Sequence, residues 1–131
     1  MADKRIILAI DDDPMTLKVI TALLSEDYSL CIANSAASAT DLLTRIKPDL
    51  ILLDIEMPGI SGFEFLHTIR KNPKFMTIPV VIISGHSEDE FVSHAKNMGA
   101  SCLVAKPINR KELTEKINYA FANPVKHILD R

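Results

Sequence analysis

The sequence predicts an α/β fold, a doubly wound parallel sheet of five strands with helices on both faces, and three observations carry that prediction. Short apolar runs recur without the period-two alternation of half-exposed strands. Segments with helical spacing separate them, so that strand and helix alternate five times. The four strongest runs each stop abruptly at a polar residue.

The first run, Ile6-Ile7-Leu8-Ala9-Ile10, is apolar throughout and ends at Asp11-Asp12-Asp13. Unbroken runs of this length, rich in β-branched residues, fit strands buried on both faces, as in a parallel sheet covered by helices. Asp13 before Pro14 makes an N-cap and N1 pair, and the helix it opens carries Ile20, Leu23 and Leu24 on one face. Ser29-Leu30-Cys31-Ile32-Ala33 is a weaker run that suits an edge strand. A second helix is expected from about Ser35 to Lys47, with Ala39, Leu42, Leu43 and Ile46 inward and Pro48 ending it.

Leu50-Ile51-Leu52-Leu53 is the third strand and stops at Asp54. The helix after it begins near Ser61, uses Phe65, Leu66 and Ile69, and stops before Asn72-Pro73. Val80-Val81-Ile82-Ile83 is the fourth strand and stops at Ser84. Ser87-Glu88-Asp89-Glu90 then has the pattern of a capping box, predicting a helix that presents Phe91, Ala95 and Met98 and finishes at Gly99. Cys102-Leu103-Val104-Ala105, the fifth strand, stops at Lys106-Pro107. The last helix starts near Asn109, aligns Leu113, Ile117, Ala120 and Phe121, and ends before Pro124.

A chain of 131 residues, 47% of them hydrophobic, suffices for one compact core and is too short for two ordinary domains. Residues 1–122 are read as the domain and 123–131 as a tail or the root of a linker. The 15 basic and 17 acidic side chains nearly cancel, so no global field points toward nucleic acid or anionic lipid. The first apolar run is only five residues long before three aspartates end it, which argues against a signal peptide or a membrane span and for a cytoplasmic location. His67, His86, His94 and His127 form no zinc pattern, and His67, His94 and His127 are read as surface residues. Neither GxxxxGK[ST] nor GxGxxG is present, which leaves nucleotide binding without support.

The strand ends carry the chemistry. In open parallel sheets ligands bind beyond the carboxyl ends of the strands, where Asp11, Asp12, Asp54, Ser84 and Lys106 would converge. Crowded carboxylates raise one another's pKa or need a cation between them, and a hard divalent ion such as Mg²⁺, which takes oxygen ligands, answers that need. One carboxylate can then act as a nucleophile toward phosphorus, with lysine and hydroxyl groups placed around the transferring charge. Each residue also has a plainer reading: Asp13 is most simply a helix cap, Asp54 a turn residue, Lys106 a surface lysine, and Ser84-Gly85 an ordinary turn. Asp11 and Asp12 cannot both be caps, and it is the joint occurrence at four strand ends that favours a site.

Five motifs occur in order, Ile-Asp-Asp-Asp-Pro at 10–14, Asp-Leu-Ile-Leu-Leu-Asp at 49–54, Met-Pro-Gly at 57–59, Ile-Ile-Ser-Gly at 82–85 and Lys-Pro at 106–107. On these motifs the chain, from about Lys4 to Phe121, resembles the receiver domains of two-component response regulators. The resemblance implies a flavodoxin-like (βα)5 sheet of order 2-1-3-4-5. It implies that Asp54 accepts a phosphoryl group from the phosphohistidine of a sensor histidine kinase or a phosphotransfer protein. Asp12 would ligate Mg²⁺ directly, Asp11 would help through water, and the Glu56 main-chain carbonyl would supply another ligand. Lys106 would contact the phosphoryl group, Ser84 would bind one of its oxygens, and the surface from the fourth strand to the fifth helix would switch for an output partner. Met57-Pro58-Gly59 would shape the loop past the acceptor, and Glu56 and His86 would flank the site and tune the phosphoryl lifetime. Such a domain catalyses only its own phosphorylation and dephosphorylation. Leu103 stands where many members carry Tyr or Phe, which departs from an aromatic switch.

In the implied strand order Cys31 and Cys102 lie on opposite edges, about 19 Å apart over four inter-strand steps. A disulfide tolerates roughly 7 Å, so both are read as small buried hydrophobes. Two other readings compete. One is a hydrolase with an aspartyl-phosphate intermediate resembling the haloacid-dehalogenase type, whose second aspartate two positions on is here Glu56. The other is a receiver-like module that signals without phosphorylation, against which the full set Asp11, Asp12, Asp54, Ser84 and Lys106 argues.

Overall fold

A computed structural model describes residues 3–57, 59 and 61–125 of the chain. Five strands, β1 (Ile6–Ile10), β2 (Ser29–Ala33), β3 (Leu50–Asp54), β4 (Val80–Ser84) and β5 (Cys102–Ala105), alternate with five helices, α1 (Pro14–Leu24), α2 (Ala36–Leu42), α3 (Gly62–Lys71), α4 (Asp89–Asn97) and α5 (Arg110–Ala122). The strands form one parallel sheet in the order β2-β1-β3-β4-β5, as expected. Cys31 and Cys102 therefore sit on opposite edge strands, and both are free thiols.

Alternation along the buried strands divides the core in two. Ile7, Ala9, Leu50, Leu52, Val81, Ile83, Cys102 and Val104 pack with α1 and α5 through Leu17, Ile20, Leu24, Leu113, Ile117 and Ala120. Leu8, Ile10, Ile51, Leu53, Val80, Ile82 and Leu103 turn the other way, onto α2, α3 and α4 through Ala39, Phe65, Leu66, Ile69 and Ala95. The sequence runs look continuous because both sets of alternate positions are buried.

Several local signals hold. Asp13 caps α1 by accepting from the Met15 N–H at 3.0 Å, Ser61 caps α3 from the Glu64 N–H at 3.2 Å, and Asn109 caps α5 from the Glu112 N–H at 2.8 Å. Gly99 follows α4 with φ +108°, the left-handed stop expected of it. Two expectations need correction. α2 ends at Leu42, not Lys47, because the chain tightens into turns there: the Thr44 hydroxyl donates to the Asp41 carbonyl at 2.6 Å, and Thr44 and Arg45 N–H groups bond only three residues back. The capping box at Ser87 does not form. The N-cap is Glu88, which makes no side-chain cap bond, and its carboxylate instead lies 3.7 Å from His86 Nδ1. His67 and His94 are exposed as expected, whereas Pro58, His127 and the tail beyond Val125 lie outside the described residues.

Candidate functional site

The strands end at different heights, and that stagger assembles the site. Ile10 pairs with Leu53, Asp54 with Ile83, and Ser84 with Ala105, so Asp11, Asp54, Ser84 and Lys106 emerge along the carboxyl edge of four adjacent strands. Asp11 and Asp54 are each 1% exposed and Ser84 is completely buried, which is unusual for polar side chains and demands local compensation.

The compensation is partial. Asp11 Oδ1 accepts from the Asp13 N–H at 2.9 Å, and Asp54 Oδ1 accepts from the Glu56 N–H at 3.2 Å. Lys106 Nζ donates to Asp54 Oδ1 at 3.4 Å and lies 3.6 Å from Asp11 Oδ2. That second oxygen of Asp11 has no hydrogen-bond partner although it is buried. Burial pushes the Asp11 carboxyl up from 3.8 to about 6; the Asp13 N–H opposes this, the Asp54 charge adds to it, and Lys106 subtracts. Burial works against the Lys106 charge, but Asp11 and Asp54 outweigh it and raise the ammonium above 10.5.

One ligand atom from each of Asp11, Asp12 and Asp54 lies within 4.8 Å of the others, with Asp12 exposed at the rim. Three carboxylates with oxygens at that spacing, one of them carrying a buried oxygen without a hydrogen bond, suit a hard divalent cation such as Mg²⁺ better than any softer metal. The residues present therefore fit the ion.

Ser84 is turned elsewhere. Its hydroxyl donates to Glu56 Oε1 at 3.3 Å and accepts from the His86 N–H at 2.9 Å. By strand alternation Asp54 shares the side of Leu50 and Leu52, whereas Ser84 shares the side of Val80 and Ile82. Asp54 thus belongs to the α1 and α5 side of the sheet and the Ser84 hydroxyl to the α4 side.

The sequence placed Asp11, Asp12, Asp54 and Lys106 together, and the structure brings them together. It expected Glu56 to supply a main-chain ligand and, with His86, to flank the site, but missed its carboxylate as the partner of Ser84. It also missed Gly62. A Cβ there would stand 2.6 Å from Ile55 Cα and 2.7 Å from the Asp54 carbonyl oxygen, so the start of α3 rests against the backbone that carries Asp54. A glycine directly after the cap serine was the available signal. Gly59, with φ +83°, adopts the left-handed backbone expected of a turn residue beyond Asp54.

The profile of the family described as "Response regulator receiver domain" matches residues 7–118. The chain is 30% identical over 117 residues to Protein PilH of Pseudomonas aeruginosa, covering 88% of this chain and 97% of that protein. It is 32% identical over 117 residues to a Vibrio cholerae protein described as a probable cyclic di-GMP phosphodiesterase, covering 89% of this chain. The chain spans only 26% of that protein's length. Among solved structures, the signal receiver domain of a DNA-binding response regulator (merR) from Colwellia psychrerythraea has a TM-score of 0.82 at 31% identity, covering 92% of this chain and 100% of that one. Chemotaxis protein CheY4 of Vibrio cholerae has a TM-score of 0.84 at 23% identity, covering 89% and 98%, a likeness of fold.

Proposed function

This chain belongs to the response regulator receiver domain family of two-component signalling, and on that premise we propose that Asp54 accepts a phosphoryl group from a phosphohistidine on a sensor histidine kinase or phosphotransfer protein. The observation that carries this is the buried Asp54 carboxylate at the carboxyl edge of the sheet, with Lys106 Nζ at 3.4 Å and two further carboxylates close by. A carboxylate oxygen of Asp54 forms the bond to phosphorus as the bond from phosphorus to the donor imidazole nitrogen breaks, and the imidazole leaves with a proton. Lys106 turns its charge to the phosphoryl oxygens, and the Ser84 hydroxyl binds one of them afterwards.

Asp12, Asp54 and the Glu56 main-chain carbonyl would hold Mg²⁺, with Asp11 reaching it through water. When bound, the ion supplies positive charge against the transferring phosphoryl oxygens. The new charge then shifts the surface from β4 to α5 and changes affinity for an output partner. We assign residues 1–122 to the receiver and 123–131 to a tail or linker root, and place the reaction in the cytoplasm. Among the described residues, no helix is long and apolar enough to cross a membrane.

Intact-protein mass spectrometry after incubation with acetyl phosphate, with and without Mg²⁺, tests the reading. Wild type should gain one phosphoryl group only with Mg²⁺, and Asp54→Asn should gain none. Labelling of Asp54→Asn, or none of wild type, overturns it. Repeated turnover of a small phosphomonoester would point instead to the hydrolase reading.

A further inference from the structure

Ser84 is completely buried, and its hydroxyl has a single proton to give. In this structure that proton goes to Glu56 Oε1 at 3.3 Å, while the His86 N–H holds the oxygen at 2.9 Å. The same hydroxyl cannot donate to a phosphoryl oxygen on Asp54 until it lets go of Glu56. Glu56 is itself engaged, since His86 Nε2 lies 3.5 Å from Oε1. His86 Nδ1 in turn lies 3.7 Å from Glu88, the N-cap of α4, and its ring stands 5.4 Å from that of Phe91 in the first turn. Phe91 packs on Phe63 of α3 at 5.6 Å. An unbroken line of contacts therefore runs from the Ser84 hydroxyl to the start of α4.

We propose that Glu56 is a positioning residue that latches Ser84 in the resting state, so that capture of Ser84 by the phosphoryl group releases Glu56 and, through His86, the first turn of α4. The inference rests on the phosphoacceptor reading and deepens it. The latch opposes switching, and its strength sets how much of the phosphoryl group's attraction for Ser84 is left to move α4. The Glu56 side chain is 54% exposed, so substitutions there leave the core untouched.

The full chain is titrated by calorimetry with beryllofluoride, which mimics the phosphoryl group, in the presence of Mg²⁺. Glu56→Ala should bind about threefold to tenfold more tightly than wild type, the range that one net hydrogen bond to a half-exposed acceptor carries. Glu56→Gln should stay near wild type, because its amide oxygen still accepts from Ser84. In a Ser84→Ala background, Glu56→Ala should bring no gain. Without any ligand, the His86 amide should exchange its hydrogen faster in Glu56→Ala than in Glu56→Gln. A gain that persists without Ser84, or appears equally in Glu56→Gln, would mean that the carboxylate simply repels the anion, and overturns the latch. No gain in Glu56→Ala overturns it as well. Wild type that binds no beryllofluoride overturns both the latch and the phosphoacceptor reading, whereas wild type that binds without coupling to Ser84 overturns the latch alone.

Discussion

Replacing Asp11 with asparagine should make the metal-free protein more stable at neutral pH, the reverse of what altering a buried side chain usually does. The reason is the burial of the Asp11 carboxylate, one of whose oxygens lacks a hydrogen bond, with the Asp54 charge adding to it. Its carboxyl is pushed from 3.8 to about 6, and two pH units at ~1.4 kcal/mol each set a ceiling of about 3 kcal/mol for the burden of the ionised form. The pull of Lys106 Nζ at 3.6 Å is already contained in that value; asparagine keeps an acceptor for the Asp13 N–H but brings an amide NH2 into the buried site, so a net gain of about 1–2 kcal/mol remains. The pH dependence has a definite sign. Because the folded-state value lies above the unfolded one, the folded protein holds an extra proton between pH 3.8 and about 6. This group's contribution is fully present below that window, is lost as pH rises through it, and stays lost above. Urea denaturation on both sides of the window, with and without Mg²⁺, measures all of this. Wild type should lose stability across the window relative to Asp11→Asn, and Mg²⁺ should restore more to wild type than to the variant. An Asp11→Asn protein no more stable than wild type at neutral pH without metal would refute the reasoning.

Two further substitutions probe the supports of the site. Gly62→Ala would force a Cβ against the Ile55 and Asp54 backbone, costing about 1–3 kcal/mol and slowing labelling of Asp54; an unchanged urea midpoint would contradict the close approach. Lys106→Ala should still accept the phosphoryl group, up to about a hundredfold more slowly, and should blunt any change in partner affinity; an undiminished partner response would remove Lys106 from the switch.

What could be read from the sequence follows from how many constraints act on each residue. Leu50 to Leu53 was legible as a strand because burial on both faces leaves no position for a polar residue, and Asp54 stood out as the place where that rule breaks. Asp13, Ser61 and Asn109 were legible as caps because the bond they make lies within their own turn. Ser87 failed as a cap for the complementary reason: the chain enters α4 one residue later, and Glu88 finds a partner in His86 rather than in its own helix. α2 was overextended because nothing in the apolar spacing of Leu42, Leu43 and Ile46 reports the Thr44 hydroxyl closing on Asp41. Glu56 and Gly62 were missed as a side-chain partner and a close contact because both depend on which loops meet in space. Local pattern is silent on that.

The alternation that sets Asp54 and Ser84 on opposite sides of the sheet has a consequence for how such a protein diversifies. Under the proposed function, the acceptor and Lys106 belong to the half walled by α1 and α5, while the residue that reports on them belongs to the half walled by α2, α3 and α4. The sheet is a partition, and the site residues of its two halves meet along its carboxyl edge. Substitutions can therefore accumulate on the reporting half, suiting it to a new listener, without entering the half where the chemistry is done. Chimaeras that exchange α4 alone (Asp89–Asn97) between related chains, with His86 left in place, should keep accepting a phosphoryl group at Asp54 and change their audience.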